Sequence, residues 1–273
     1  MGREALAASS EARALIETAS KCTGVDVARE LLRWTAQMRR TEVLQTALVA
    51  VALGEVAWLH ERGERWDFVA GHSLGELSAW SAAGGVAAHD AVRLASERGR
   101  AMADAAANRP GAMAALVGAT FDRVREVTDD CGAFGEVVVA AHNAPDEWVL
   151  SGDPAAIDHA VRTADARRLD VAGAWHSPSM ATAKTEFGRC IARVPVAELH
   201  ATFVSSVTGD VAAPGAIAAL LCDALIEPVR WTDVLSRLSA LGAREFLIAG
   251  PGRALRSHVF RTLGHDAVVR FAA

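Results

Sequence analysis

An α/β fold, a parallel sheet carrying a small inserted lobe, is predicted by three features of the sequence. A short apolar run, Trp66–Ala70, passes through a glycine-rich turn straight into a helical segment. Between residues 111 and 173, β-type runs alternate with short helices. After Gly173 strand and helix signals alternate again, and no repeat, low-complexity tract or long polar linker separates the halves.

Apolar positions at helical spacing predict one helix from Ser10 to about Trp34 and a second, richer in Leu, Val and Ala, over Thr41–Leu59. Trp66–Ala70 reads as a strand, and His89–Ala107 as a helix ended by Asn108, Pro110 and Gly111. The next strands are expected at Ala112–Val117, Val137–Ala141, Trp148–Ser151 and Arg168–Ala172, with helices over Phe121–Asp130 and Pro154–Ala166. That order, β-α-β-β-α-β, is the ferredoxin-like pattern. Strands at Ala201–Ser205 and Glu245–Ala249, with helices between and after them, complete the chain. The expected division is a main domain from residues 1–110 and 174–273 with a ferredoxin-like subdomain over 111–173.

With 273 residues, 51% hydrophobic and 22% charged, the chain has the composition of a globular protein with a sizeable core. Its longest purely apolar stretch, Ala47–Gly54, stops at Glu55, well short of the roughly 18 residues that cross a bilayer. No membrane span is expected. Glu4 sits where a secretory leader carries only basic charge, so a cytoplasmic location is expected. A net charge of -5 argues against a nucleic-acid partner. Cys22, Cys131, Cys190 and Cys222 form no C-x-x-C pair, which points to reduced packing residues rather than a zinc site or disulfide framework.

The sharpest chemical signal is Gly71-His72-Ser73-Leu74-Gly75, a G-x-S-x-G sequence between strand and helix. Its glycines permit a strained turn that lifts the serine hydroxyl clear, while the Leu74 amide and the helix start face a developing oxyanion. A serine nucleophile needs a base. His60, His89, His159, His200 and His265 lie on polar or helical stretches, whereas His176 sits where a strand ends and Pro178 fixes the next turn. His176 is the candidate base, with a satisfied loop histidine as the alternative. Arg98 taken alone reads as a solvated helix arginine.

These segments, together with Arg98-Gly99, Asn143-Ala-Pro145, Trp175-His-Ser-Pro178, Ser205-Ser-Val-Thr-Gly209, Pro228-Val-Arg-Trp231 and Gly250-Pro-Gly252, resemble the malonyl-CoA:acyl carrier protein transacylase family. That family includes the acyltransferase domains of polyketide synthases, and the resemblance runs in order along the whole chain. It implies an α/β-hydrolase-like catalytic domain that moves a malonyl or related acyl group from coenzyme A to the phosphopantetheine thiol of an acyl carrier protein. The coenzyme A thioester is then a substrate, and no cofactor or metal is needed. Ser73 matches the nucleophile, His176 the base, and Arg98 the guanidinium that grips the free malonyl carboxylate. Asn143 and Met102 join the substrate-binding set, and the main chain at Ala224 is expected to orient the histidine. Trp175 stands where malonyl-selective members carry Phe, and Leu74 where methylmalonyl-selective ones carry Gln. A bulky ring there crowds an α-substituent, so unbranched malonyl is the expected donor.

Three departures accompany the match. The family begins with a strand ending in Gly-Gln-Gly, whose glutamine supplies a second oxyanion donor, and this chain starts just beyond it. Ala224 replaces Gln or Asn, and Ser206 replaces Asn. Two other readings remain open: an editing thioesterase with water as acceptor, and a non-catalytic carrier-protein-binding remnant. A general esterase would instead want an acidic third member, for which Asp153 and Asp170 are available. Gly250-Pro-Gly252, with Arg253 and Arg256 beyond it, is either an anion site for a coenzyme A phosphate or a plain strand-to-helix turn.

Overall fold

The computed structural model describes residues 2–272. Four helices come first: α1 (Arg3–Ala8), α2 (Ser10–Thr23), α3 (Val27–Arg33) and α4 (Thr41–Glu61). The single helix expected over 10–34 is therefore two. Gly24, at φ +67°, closes α2, and the Asp26 side chain accepts the Arg29 amide to start α3. A glycine in the left-handed region followed by an N-cap acid stops and restarts a helix whatever the apolar spacing says.

α4 runs through the centre of the main core, with twelve of its 21 residues buried. It is long and apolar enough to cross a membrane by length and composition, a property that buried core helices share. It lies between α2 and α6 (Ala88–Asn108), which follow the same core, and Val43, Ala47, Ala50, Leu53, Leu15, Ala91 and Ala95 are nearly inaccessible. Gly99 permits the closest approach: a Cβ there would sit 2.5 Å from the Cα of Glu42. The absence of a side chain lets α6 lie against the first turn of α4, beside Arg98.

The strand β1 (Phe68–Ala70) leads into α5 (Gly75–Ala82), and later β6 (Thr202–Val204) pairs with it in parallel, Val69 opposite Phe203. Between them lies the lobe: β2 (Ala112–Val117), α7 (Phe121–Cys131), β3 (Val137–Ala144), β4 (Glu147–Gly152), α8 (Pro154–Thr163) and β5 (Arg167–Arg168). Its antiparallel sheet has the order β3-β4-β2-β5. Ala114, Leu116, Val124, Leu150 and Ile157 belong to a core of its own. The element order is the one the sequence pattern predicts. The last strand is much shorter than the expected 168–172, because Val171 turns its amide back onto Leu169 and the chain leaves the sheet.

After α9 (Ala181–Ile191) and β6 come α10 (Ile217–Asp223), α11 (Trp231–Ala240), β7 (Glu245–Ile248), α12 (Arg253–Leu263) and β8 (Val268–Phe271). β8, which the sequence pattern did not signal, pairs in parallel with β7. The parallel layer among the described residues is thus two pairs, β1–β6 and β7–β8, whose side chains Ala70, Val204, Phe246 and Val269 share one apolar cluster with α11 and α12. The lobe is stitched to this layer by main chain: the Val229 carbonyl accepts the His142 amide at 2.9 Å, and the Val229 amide donates to Ala140 at 2.9 Å.

Candidate active site

The turn between β1 and α5 sets the serine. Gly71 passes so close to the start of α5 that a Cβ would fall 2.0 Å from the Gly75 carbonyl carbon. Ser73 itself has φ +52°, a left-handed conformation that costs a non-glycine residue roughly 1 to 2 kcal/mol. Such strain at a serine between strand and helix is a nucleophile-elbow geometry. The turn is pinned by the Gly75 amide donating to His72 and the Glu76 amide donating to Ser73, each at 3.0 Å. Leu74 lies at the helix N-cap, so its amide points where positive end-charge gathers.

His176 reaches the same point from the segment after the lobe. Its Nε2 lies 2.8 Å from Ser73 Oγ. His176 is also left-handed, at φ +57°, and 6% exposed. Its Nδ1 lies 3.2 Å from the Glu227 carbonyl, which can only accept. Nδ1 therefore carries the ring hydrogen and Nε2 is left free to take the serine proton. The main chain at Ala224, the position expected, also favours the charged ring, and the Glu227 carbonyl joins it with a bond of 3.2 Å. Both carbonyls lie in the loop after α10, and the identity of the residue-224 side chain has no part in that bond. Burial, the Arg98 charge and His72 together pull the His176 pKa down to about 3. The imidazole is thus neutral, and able to act as a base, through the whole physiological range.

Arg98 projects from α6 and is 4% exposed. One terminal nitrogen donates to Gln45 Oε1 at 2.6 Å, and the other stands 3.4 Å from Ser73 Oγ. Burial lowers its pKa to about 10, which still leaves it charged at neutral pH, and Glu76 opposes the shift. No ion pair engages Arg98 among the described residues. A buried, charged guanidinium beside the serine can receive a carboxylate in a two-pronged bond. Gln45 had no signal in the sequence beyond its place on an apolar helix. Its Nε2 in turn lies 3.2 Å from the sulfur of Met102, one turn along α6, so Met102 supports the arginine's holder.

The other expected residues divide. Leu74 lies on the elbow and packs against the main core. Trp175 precedes His176 and turns its six-membered ring toward Gly173 and Ala106. Asn143 is buried, but its bonds run elsewhere: Oδ1 takes His72 at 2.8 Å and Nδ2 donates to Glu147 at 3.3 Å. Glu147 then meets His258 at 3.3 Å and Arg261 of α12. This polar chain ties the elbow to the β3–β4 hairpin and to α12, and sequence reading passed over His72, Glu147 and His258. Asp153 takes the Glu136 amide and faces Arg109, while Asp170 pairs with Arg39, so neither forms a triad with His176.

Glu76, next to the elbow, is fully buried. Its Oε1 accepts from Ser206 N at 2.7 Å and Ser205 Oγ at 3.0 Å. Burial raises its pKa to about 7. At the second turn, Gly250 N donates to the buried Glu55 carboxylate at 2.6 Å, and the Arg256 guanidinium lies over Phe260. An internal carboxylate occupies the amide that the anion-site expectation needed, which favours the plain turn. Among the described residues no three metal-ligating side chains cluster.

The family model described as "Acyl transferase domain" matches residues 1–268. The chain is 37% identical over 243 residues to a type I polyketide synthase of phenolphthiocerol synthesis from Mycobacterium marinum, covering 86% of this chain and 11% of that one. It is 33% identical over 219 residues to the malonyl CoA-acyl carrier protein transacylase of Bacillus subtilis, covering 77% of this chain and 69% of that one. Among solved structures, the acyl-carrier-protein S-malonyltransferase of Burkholderia pseudomallei superposes with a TM-score of 0.91 at 29% identity, over 99% of this chain and 91% of that one.

Proposed function

The chain belongs to the acyl transferase domain family, and from that premise we propose that it moves a malonyl group from coenzyme A to the phosphopantetheine thiol of an acyl carrier protein, in fatty acid or polyketide synthesis. The observation that carries the reading is the meeting of three side chains: Ser73 Oγ lies 2.8 Å from a neutral His176 and 3.4 Å from a charged, buried Arg98. A serine with a base alone suits any acyl transfer. The guanidinium adds a reason for the acyl group to carry a free carboxylate.

In the first half reaction Ser73 Oγ attacks the thioester carbonyl while its proton passes to His176 Nε2. The carbon–sulfur bond breaks, and the same proton leaves with the coenzyme A thiol. In the second, the carrier-protein thiol gives its proton to His176 and attacks the malonyl-serine ester, and the proton returns to Ser73. The Glu227 carbonyl stabilises the imidazolium that forms in each step. The Leu74 amide and the start of α5 face the developing oxyanion. A carboxylate bound at Arg98 would remove one of the charges that depress His176, making the ring a stronger base once malonyl is seated. Residues 111–173 form, in this reading, a subdomain closing one side of the site over a catalytic body of 1–110 and 174–273, and the lobe's separate core supports that division.

The test is single turnover with labelled malonyl-CoA, followed by addition of phosphopantetheine-bearing carrier protein or of buffer alone. The proposal predicts an acyl-enzyme stable in buffer and discharged onto the carrier protein. Discharge into water at the same rate would make the protein a thioesterase instead.

A further inference from the structure

We infer that the α3 segment and the short helical turn after it, residues 29–40, form the docking surface for the acidic carrier protein; this rests on the transacylase reading. The exposed face of α3 carries Arg29, Leu32 and Arg33, at spacings that share one helix face, while Val27 and Glu30 are buried on the other. Leu32 is 70% exposed and Trp34 51% exposed. Trp34 caps the helix at φ +49°, its amide bonded to the Glu30 carbonyl, which fixes the main chain from which the exposed ring projects. Arg39 and Arg40 follow, both exposed.

The charges here are available. Arg29 and Arg33 have no acidic partner among the described residues, as is true of other exposed arginines such as Arg253 on α12; what sets them apart is the exposed Leu32 and Trp34 beside them. Arg39 meets only Asp170, in a pair so exposed that it contributes little, while Arg40 is paired with Glu42 at 2.6 Å, so the free charges of the patch are Arg29 and Arg33. Exposed Leu32 and Trp34 flanked by the unpaired Arg29 and Arg33 have the composition of a protein-binding centre. On a chain of net charge -5, a local basic patch selects an acidic protein rather than a polyanion.

Its position fits transfer. Arg40 precedes α4, and Gln45, which holds Arg98, is five residues on, about 8 Å along the helix axis. Met38 of the same turn is fully buried in the main core. Arg39 bonds Asp170, six residues before His176. Residues 29–40 therefore lead into the helix whose Gln45 holds Arg98 and touch the chain that leads to His176, which brings Ser73 within reach of a long flexible arm from a carrier protein seated there.

The experiment compares wild type with the double variant Arg29→Glu/Arg33→Glu, and with Trp34→Ala, measuring loading from malonyl-CoA and discharge separately. Discharge is followed with a phosphopantetheinylated acyl carrier protein and with free pantetheine. The expected result is a fall of about tenfold or more in kcat/KM for the carrier protein, with loading and transfer to pantetheine within about twofold of wild type. The carrier-protein rate should also fall with added salt in wild type and much less in the double variant. Unchanged carrier-protein discharge from a normally loaded enzyme overturns the docking surface alone. A fall in loading instead would assign the arginines to coenzyme A phosphates and overturn it too, as would a loss confined to self-association. Failure of wild type to load at all overturns the transacylase reading, and this surface with it.

Discussion

Two turns in this molecule follow the same local plan and do different things. β1 passes through Gly71–Gly75 into α5, and β7 passes through Gly250–Gly252 into α12. Each has a left-handed residue at the bend, and each leans on a buried glutamate: Glu76 near the first, Glu55 at the second. At the first bend the left-handed residue is Ser73, faced by His176 and Arg98. At the second it is Gly250, faced by the Glu55 carboxylate and Ala52. Strand, turn and helix thus supply a left-handed position in both places. In the proposed reading, chemistry arises only where a reactive side chain takes the strained position and other elements bring a base and a charge to meet it.

The largest expected difference between the turns is catalytic. Ser73→Ala should lower transfer by about 10⁴-fold or more, since a nucleophile acts as a unit with its base. Ser73→Gly should be as inactive, yet more stable than Ser73→Ala by about 1 kcal/mol in urea unfolding, because glycine relaxes the left-handed bend. Equal stabilities would mean that the elbow is unstrained.

Next comes the charge that the second turn lacks. Arg98→Ala should cut the preference for malonyl-CoA over acetyl-CoA by about ten- to a hundredfold, the worth of a charged hydrogen-bonded pair. It should also shift the acid limb of kcat/KM for acetyl loading to higher pH. The sign follows from burial and Arg98 both depressing His176: with Arg98 gone, its pKa rises from about 3 toward its ordinary value. An unmoved limb would show that the guanidinium does not act on the histidine.

At the second turn the effects should be on stability alone. A Cβ on Gly250 would add left-handed strain and meet Ala52 Cβ at 3.1 Å, so Gly250→Ala should cost about 1 to 2 kcal/mol in thermal or urea unfolding. Transfer per folded molecule should stay within about twofold of wild type.

The smallest effect separates the two glutamates by pH. Glu76 holds its proton in the folded state up to about pH 7, above the usual 4.5, so stability is greatest below the unfolded value and is lost as pH rises through that window. Glu76→Gln should remove the loss, leaving the variant relatively more stable at pH 8 than at pH 5. Glu55, also raised by burial, should follow the same direction.

The fold was legible wherever local pattern and tertiary placement agree. α4 and α6 carry long apolar stripes, and the lobe alternates strand and helix, so their limits fall close to the expected ones. The break at Gly24 and the short β5 escaped because periodicity continues through a stop that only a backbone dihedral or one turned amide enforces. Ser73 was legible from its glycines, His176 from its place before Pro178, and Arg98 only through a family resemblance. Gln45 and Glu147 were not, because a buried polar residue is marked in a sequence only by the partner it finds, and these partners lie 53 and 114 residues away. The Glu227 carbonyl, which joins the main chain at Ala224 in supporting the histidine, escaped for a related reason: a main-chain carbonyl leaves no trace in side-chain identity.

The most direct test of the account is peptide mapping of the acyl-enzyme trapped by rapid acid quench after malonyl-CoA is added. The account predicts the malonyl group on the peptide spanning Phe68–Leu77, at Ser73, with the fraction loaded reduced in Arg98→Ala for malonyl-CoA but not for acetyl-CoA. Malonyl on any other residue, or none on a folded chain, would contradict it.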